Sequence, residues 1–325
     1  VATAPSAAAV RAGRIVRMII EKPSDVTPAV VAEMHRTPNP RTREILESLV
    51  RHLHAFVMET RLTEREFQEG IRLINWIGQK TTPSHNEAML MAGALGVSNL
   101  VALINNGAGG TMPTQANNLG PFWRSGAPHL ANGASLLKSA TPGEPLFFEG
   151  VVRDAAGKPI EGVEVDVWHS SPVGLYENQD STQAEMNLRG VFVTDAAGRF
   201  AFRSIKPGAY PVPKDGPNGV LLGAQNRHNM RPAHLHFMFY KPGWKTIASQ
   251  VYTGDDPYLE TDSQFGVTRA LIGNYVKHAN EPAPAQGITG VWWTLAHAFT
   301  LEPGEARRPQ PPISAKVDSG TAAGE

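Results

Sequence analysis

An α+β fold, a helical N-terminal domain followed by an antiparallel β-sandwich, is what two contrasting textures of this sequence predict. From about Arg41 to Asn106, apolar residues recur three and four positions apart, with Gly and Pro sparse inside each stretch. From Phe147 onward, short apolar runs of strand length are separated by Gly, Pro and Asp turns, the rhythm of a sandwich. Between them, the segment from Gly107 to about Ala140 is rich in Gly, Pro and Asn. The expected organisation is a helical domain over 1–106, a linker over 107–140, a sandwich over 141–302 and a polar, Pro-rich flexible tail over 303–325.

Each element has its own signal. Ile45, Leu46, Leu49, Val50, Leu53, Phe56 and Val57 make one apolar helical stripe. Thr63 followed by Glu66 predicts a capping box, and Phe67, Ile71 and Ile74 continue that helix on one face. Ser84 and Glu87 repeat the signal before "AMLMAGALG", where Gly96 is a natural stop. In "LFFEGVVRDAAGKPIEGVEVDVWHSS" the breakers Asp154 to Gly157 and Lys158-Pro159 divide strands. "VFVTDAAGRFAFRSI" reads as a hairpin, a strand, a Gly-containing turn and a second strand. Further short strands are expected around His234, Gln250 and Trp292.

Composition narrows the function. Lys plus Arg equals Asp plus Glu, 30 each in 325 residues, so nothing in the charge calls for nucleic acid or an anionic membrane. There are no cysteines, which removes disulfides, thiolate metal sites and a cysteine nucleophile together. No apolar run is long enough to span a bilayer. The opening "VATAPSAAAVRAG" lacks the apolar core of a signal peptide, so the chain reads as soluble and cytoplasmic.

The chemistry-bearing pattern is "RPAHLHFMFY", where His234 and His236 share one face of a strand and could share a metal ion. A hydrogen-bonded pair of structural histidines is the alternative. His169, ending a strand beside Trp168, is either a ligand or a partner for a backbone carbonyl, and His228 lies in a turn-like stretch. Tyr176 in "SSPVGLYENQD" and Tyr210 in "KPGAYPVPKDGP" are candidate phenolate donors, the second in a loop that prolines rigidify. Two phenolates and two imidazoles would suit Fe(III), a hard cation. Arg231, three residues before His234, faces away from the histidines on strict alternation unless Pro232 bends the chain.

"GKPIEGVEVDVWHSSPVGLY", "NLRGVFVTDAAGRFAFRSIKPGAYPVPKDGP" and "RHNMRPAHLHF" together resemble the intradiol ring-cleavage dioxygenases, the catechol and hydroxyquinol 1,2-dioxygenases. "LTEREFQEGIRLINWIGQ" and "NNLGPFW" extend the resemblance over about residues 40–302. It implies one Fe(III) per subunit, held by Tyr176, Tyr210, His234 and His236, with O2 as co-substrate. It also implies that Tyr210 is displaced by the chelating diol and takes a substrate proton, while Arg231 stabilises negative charge and Gln250 stands near the iron. The substrate is a small aromatic diol, opened between its adjacent hydroxyls. "DPYLETDSQFGVTRALIG" and "YENQ" resemble the hydroxyquinol branch, with catechol or a substituted catechol as the alternative. Leu90, Gly93, Asn118, Leu119, Gly120 and Pro121 match pocket positions. Two depart from the branch: Gly93 stands where an aspartate is usual, and Asn118 where an apolar residue is. The resemblance further implies a homodimer through the N-terminal helices, with a lipid in their interface.

Two rival readings stand beside this. A non-catalytic, prealbumin-like binding module shares the "GKPIEGVEVDV" and "GRFAF" patterns but need not carry the Tyr and His set. A Zn²⁺ hydrolase would want an acidic ligand rather than two tyrosines.

Overall fold

The computed structural model describes residues 19–106 and 116–317. The "VATAPSAAAVRAG" opening, the first part of the expected linker and the last residues of the expected tail lie outside them. After a short 3-10 turn (Pro23–Asp25), α1 (Val26–Met34) and α2 (Pro40–Thr60) follow. Helix α2 begins where Asn39 Oδ1 accepts the Thr42 N–H at 2.9 Å, with Pro40 in the first turn, where no N–H is required. It ends at Arg61, whose φ of 51° is left-handed.

Helix α3 (Glu64–Lys80) opens on the predicted capping box. Glu66 Oε2 accepts from the Thr63 N–H at 2.9 Å, and Thr63 Oγ1 accepts from the Glu66 N–H at 3.3 Å. The predicted stripe exists but faces water: Ile45, Leu49, Leu53 and Phe56 are each about half exposed. The chain divides into two compact units, Val1–Arg72 and Leu73–Glu325, a division that falls inside α3.

In the larger unit, α4 (Glu87–Ala94) is capped by Asn86, which accepts from the Met89 N–H at 2.9 Å, and not by Ser84 as expected. Asn86 wins because Glu87 is drawn elsewhere: its carboxylate meets His85 Nε2 at 2.6 Å and the Asn218 N–H at 2.7 Å. Gly96, with φ 72°, stops α4 and starts α5 (Val97–Asn105).

The sandwich strands are β1 (Pro145–Asp154), β2 (Glu164–Trp168), β3 (Arg189–Val193), β4 (Arg199–Ile205), β5 (Tyr210–Pro211), β6 (Met230–Arg231), β7 (His234–Tyr240), β8 (Ile247–Thr253), β9 (Ile272–Gly273), β10 (Tyr275–His278) and β11 (Trp292–Leu301), with α6 (Pro217–Ala224) between β5 and β6. One sheet has the order β10-β11-β1-β4, the other β3-β2-β7-β8-β9, and β5 pairs with β6 alone.

The sandwich is mixed rather than antiparallel throughout, because β1 runs parallel to β11 and β8 parallel to β9. The expected β3–β4 hairpin is also corrected, since the two strands lie in different sheets. Alternation fits either arrangement. Here Phe192 and Phe202 meet across the core, their rings stacked 5.4 Å apart, instead of lying side by side in one sheet. Between the sheets, Phe148, Phe200, Phe202, Phe237, Phe239 and Phe299 form a buried aromatic core. Gly150 of β1 has no Cβ because Phe200 and Phe148 occupy that space.

The expected flexible tail is likewise tied down through residue 317. Ile313 is buried, the Ser314 and Ala315 N–H groups both donate to Pro83 O, and Val317 N–H donates to Asn178 O at 2.9 Å. Its polar composition conceals one apolar anchor and several backbone bonds. Among the described residues no single helix is long and apolar enough to cross a membrane; α4 and α5 pass that test only as a bent pair.

Candidate active site

Strand β7 sets the site. Its period places His234 and His236 on one face, and its register with β8 puts Tyr252 opposite His234 and Gln250 opposite His236. On its other edge, Trp168 of β2 lies opposite His236, with the two rings stacked 4.7 Å apart at 9°. Pro232, which cannot donate to a ladder, separates β6 from β7. That break answers the question about Arg231: its Nη1 lies 3.4 Å from His234 Nε2 and 3.4 Å from Tyr210 Oη, on the histidine side. The β5–β6 pair fixes this by setting Tyr210 opposite Arg231.

Tyr176 comes from the loop after β2, at the start of a 3-10 turn (Glu177–Gln179), and its N–H donates to Gln179 Oε1 at 3.1 Å. The next residue anchors it: Glu177 Oε1 accepts from Arg124 at 2.9 Å and from Arg189 at 2.8 Å, all three buried.

Four donor atoms converge. His234 Nε2 is 3.0 Å from His236 Nε2, which is 3.0 Å from Tyr176 Oη, which is 3.3 Å from Tyr210 Oη. All four side chains are 1–2% exposed. His234 Nδ1–H donates to Pro232 O at 2.7 Å, which leaves its Nε2 lone pair aimed into the cluster. His236 Nδ1 is buried with no hydrogen-bond partner among the described residues.

The electrostatics disfavour charge on both imidazoles and on the Tyr176 phenol. Burial, then the Arg231 charge, holds His234 down to about 3; burial and then His234 hold His236 well below the usual imidazole range. Burial and the Tyr210 phenol push Tyr176 well above an ordinary phenol. The imidazole nitrogens meet the Tyr176 hydroxyl and the Arg231 guanidinium, the only N–H or O–H donors besides Tyr210 that the described contacts bring to them. Metal–ligand bonds of about 2.0–2.1 Å place neighbouring ligands roughly 3.0–3.4 Å apart, the spacing observed here. Among the described residues no three His, Asp or Glu side chains form a metal-holding group; the oxygens nearest the two imidazoles in this chain of contacts are those of Tyr176 and Tyr210.

Beside the cluster is a void of about 10 Å³, lined by Tyr210 and Arg231 and by the expected pocket residues Gly93, Asn118, Gly120 and Pro121. Gly120, with φ 74°, brings bare backbone against His236: a Cβ there would lie 3.4 Å from its ring. Leu90 does not reach this void but is fully buried among Phe122, Tyr176 and Tyr210, and Leu119 packs partly buried against the same group. Gln250 is held rather than free: Oε1 accepts from Tyr252 at 2.5 Å and from Arg231 at 3.2 Å, and Nε2 donates to Asn118 O at 2.9 Å. His169 is tied to Ser170 O and Ser204, and His228 meets Tyr258 edge-on, so neither joins the cluster.

Sequence reasoning missed Asp262, whose carboxylate grips Arg231 through Nε at 2.9 Å and Nη2 at 3.0 Å. Arg231 pulls that carboxylate below its usual range against the opposing effect of burial, and the guanidinium stays charged. The only available hint was chemical: a buried guanidinium needs an acid, and "TDSQFG" supplies one thirty-one residues on.

Sequence comparison then decides the family. The description "Dioxygenase" matches residues 119–295, and "Catechol dioxygenase N terminus" matches 39–110. A 6-chlorohydroxyquinol 1,2-dioxygenase of Cupriavidus pinatubonensis is 42% identical, over 79% of this chain and 92% of that protein. This chain belongs to the intradiol ring-cleavage dioxygenase family.

A hydroxyquinol 1,2-dioxygenase of a Rhizobium species is 37% identical to this dioxygenase, over 84% of it and 92% of the relative. Among solved structures, hydroxyquinol 1,2-dioxygenase from Pseudomonas putida DLL-E4 superposes with TM-score 0.77 at 37% identity, covering 87% of this dioxygenase and 99% of that chain. Catechol 1,2-dioxygenase from Pseudomonas arvilla C-1 gives the same TM-score at 29% identity, covering 93% and 99%. Membership makes the dioxygenase an enzyme of intradiol ring cleavage and implies non-haem iron and O2, and it removes the prealbumin-like module reading.

Proposed function

We propose that this dioxygenase opens hydroxyquinol between its adjacent hydroxyls to the maleylacetate-type product, with catechol as its alternative substrate. The observation that carries ring cleavage is the convergence of two phenol oxygens and two imidazole nitrogens at 3.0–3.3 Å in a dry interior, and the likeness to hydroxyquinol-type dioxygenases supports the substrate. Tyr176, Tyr210, His234 and His236 would hold one Fe(III) per subunit. The ion would supply Lewis acidity and a template for the diol.

The chain's own groups do the rest. Of the two phenols, Tyr210 is the one that lines the void, so it is the one an entering diol meets, and its oxygen can accept a proton from a substrate hydroxyl. Arg231, fixed by Asp262 and facing Tyr210, presents a permanent positive charge to any oxygen that gains negative charge. Gln250 holds the position of Arg231 and Asn118 on either side of the void. Burial keeps bulk water out.

The half-exposed stripe on α2 supports a homodimer through the N-terminal helices, an apolar face that could also take a lipid. Steady-state rates on hydroxyquinol and catechol by the iron-loaded enzyme, with products identified, test the substrate assignment. Ring-opened product from hydroxyquinol at the higher kcat/KM is expected, and cleavage of catechol alone would contradict it.

A further inference from the structure

Resting on that reading, we infer that the carboxamide of Gln264 is the group that selects the substituted ring, in a place that Gly93 leaves open for it. Gln264 lies between the Asp262 that holds Arg231 and the Gly266 whose N–H the same carboxylate binds at 2.9 Å. Its own N–H donates to Asp262 Oδ1 at 3.1 Å, and the neighbouring Ser263 N–H donates to Met230 O at 3.2 Å, so its backbone is fixed. The side chain is 4% exposed and lines the same small void as Tyr210 and Arg231.

The interlock with residue 93 is steric. A Cβ built on Gly93 would fall on Gln264 Oε1 and 2.8 Å from its Cδ. Any side chain at 93 therefore evicts the carboxamide, and the two positions act as one unit. Position 93 sits on α4 and position 264 on the loop before β9, far apart in sequence, so the pairing is visible only in three dimensions.

The void itself points to Gln264 as the wall that meets the ligand. At about 10 Å³ it holds roughly one water and no aromatic ring, so something must move when a diol enters. Arg231 is clamped by Asp262, the Asn118 oxygens are held by Gln250 Nε2, Gly120 has no side chain to move, and the ring of Pro121 fixes its own φ. Met89 and Gln264 are the two long, flexible lining chains, and only Gln264 is polar. Its carboxamide makes one long hydrogen bond among the described residues, Nε2 to Ser263 O at 3.5 Å, and is otherwise available.

A neutral carboxamide donates and accepts at once. It suits a diol ring bearing one further hydrogen-bonding substituent, such as a third hydroxyl, without requiring that the substituent be charged. A ring lacking the substituent leaves a buried amide unpaired and is disfavoured.

The test is the ratio of kcat/KM for hydroxyquinol over catechol, measured within single preparations of iron-loaded wild type, Gln264→Met, Gly93→Ala and the double variant. Methionine keeps the length and volume while removing both polar atoms, and partial misfolding lowers both rates together and leaves the ratio alone. A fall of about tenfold or more in Gln264→Met is expected. Gly93→Ala should shift it the same way by displacing the carboxamide while residue 264 stays glutamine, and the double variant no further than the larger single effect. A ratio within twofold of wild type in either single variant overturns the inference while leaving ring cleavage intact. Wild type that opens neither diol overturns the underlying function, and this inference with it.

Discussion

Arg231 carries a full charge where water does not reach, and that is tolerable only because Asp262 meets it with two hydrogen bonds at 2.9 and 3.0 Å. Removing one partner of such a pair should be costly. Asp262→Asn is expected to lower stability by about 3–5 kcal/mol, read from its denaturation midpoint, because the guanidinium loses its counter-charge. An unchanged midpoint would show the pair to be dispensable. Tyr210→Phe should retain iron yet lose about two to four orders of magnitude in kcat, since proton transfer of this kind contributes that much. Full turnover in that variant would remove the phenol from its assigned place. At this scale the sequence was informative about donors and poor on their supports. Two histidines two apart in a strand are legible from alternation alone, whereas Asp262, Tyr252 and Gln264 sit in segments whose relation to β7 exists only after folding.

Between single side chains and the molecule lie the elements, and here the errors have physical causes. The Thr63–Glu66 cap formed as read, because both partners are local. The β3–β4 hairpin did not, because a turn between two alternating strands looks the same whether the strands pair or part into opposite sheets. The parallel pairing of β1 with β11 joins strands at opposite ends of the domain and leaves no local trace. Helix α2 carries its own prediction: Leu49, Leu53 and Phe56 are half exposed on one face, an apolar strip that a second copy would cover. Leu53→Glu is expected to convert a dimer into a monomer by light scattering, and an unchanged mass would place the interface elsewhere.

On the scale of the whole molecule, burial in the iron-free folded chain disfavours protonation of three histidines. Burial is the leading cause in each: His169 is held to about 4, His234 to about 3 and His236 well below the free value of 6.5. Below pH 6.5 the unfolded chain takes up protons that the folded chain refuses, so stability must fall with acidification. The loss should begin near pH 6.5 and continue toward pH 4, at up to about 1.4 kcal/mol per pH unit for each histidine. Denaturant midpoints of the iron-free protein between pH 7.5 and 4.5 check this, and a flat profile would mean that these rings are not held neutral. The overall α+β division was legible because texture changes sharply near Phe147, whereas the unit boundary inside α3 was not, since nothing in the periodicity of "EREFQEGIRLINWIGQK" marks residue 72.

One measurement reaches the centre of this account most directly: metal content and visible absorption of the protein purified from iron-supplemented cells, beside His236→Ala. One iron per chain with a broad visible band from phenolate-to-iron charge transfer is expected in the wild type, and neither in the variant. Colourless, iron-free wild-type protein, or a variant that keeps its full complement of iron, would contradict a ferric centre built on Tyr176, Tyr210, His234 and His236.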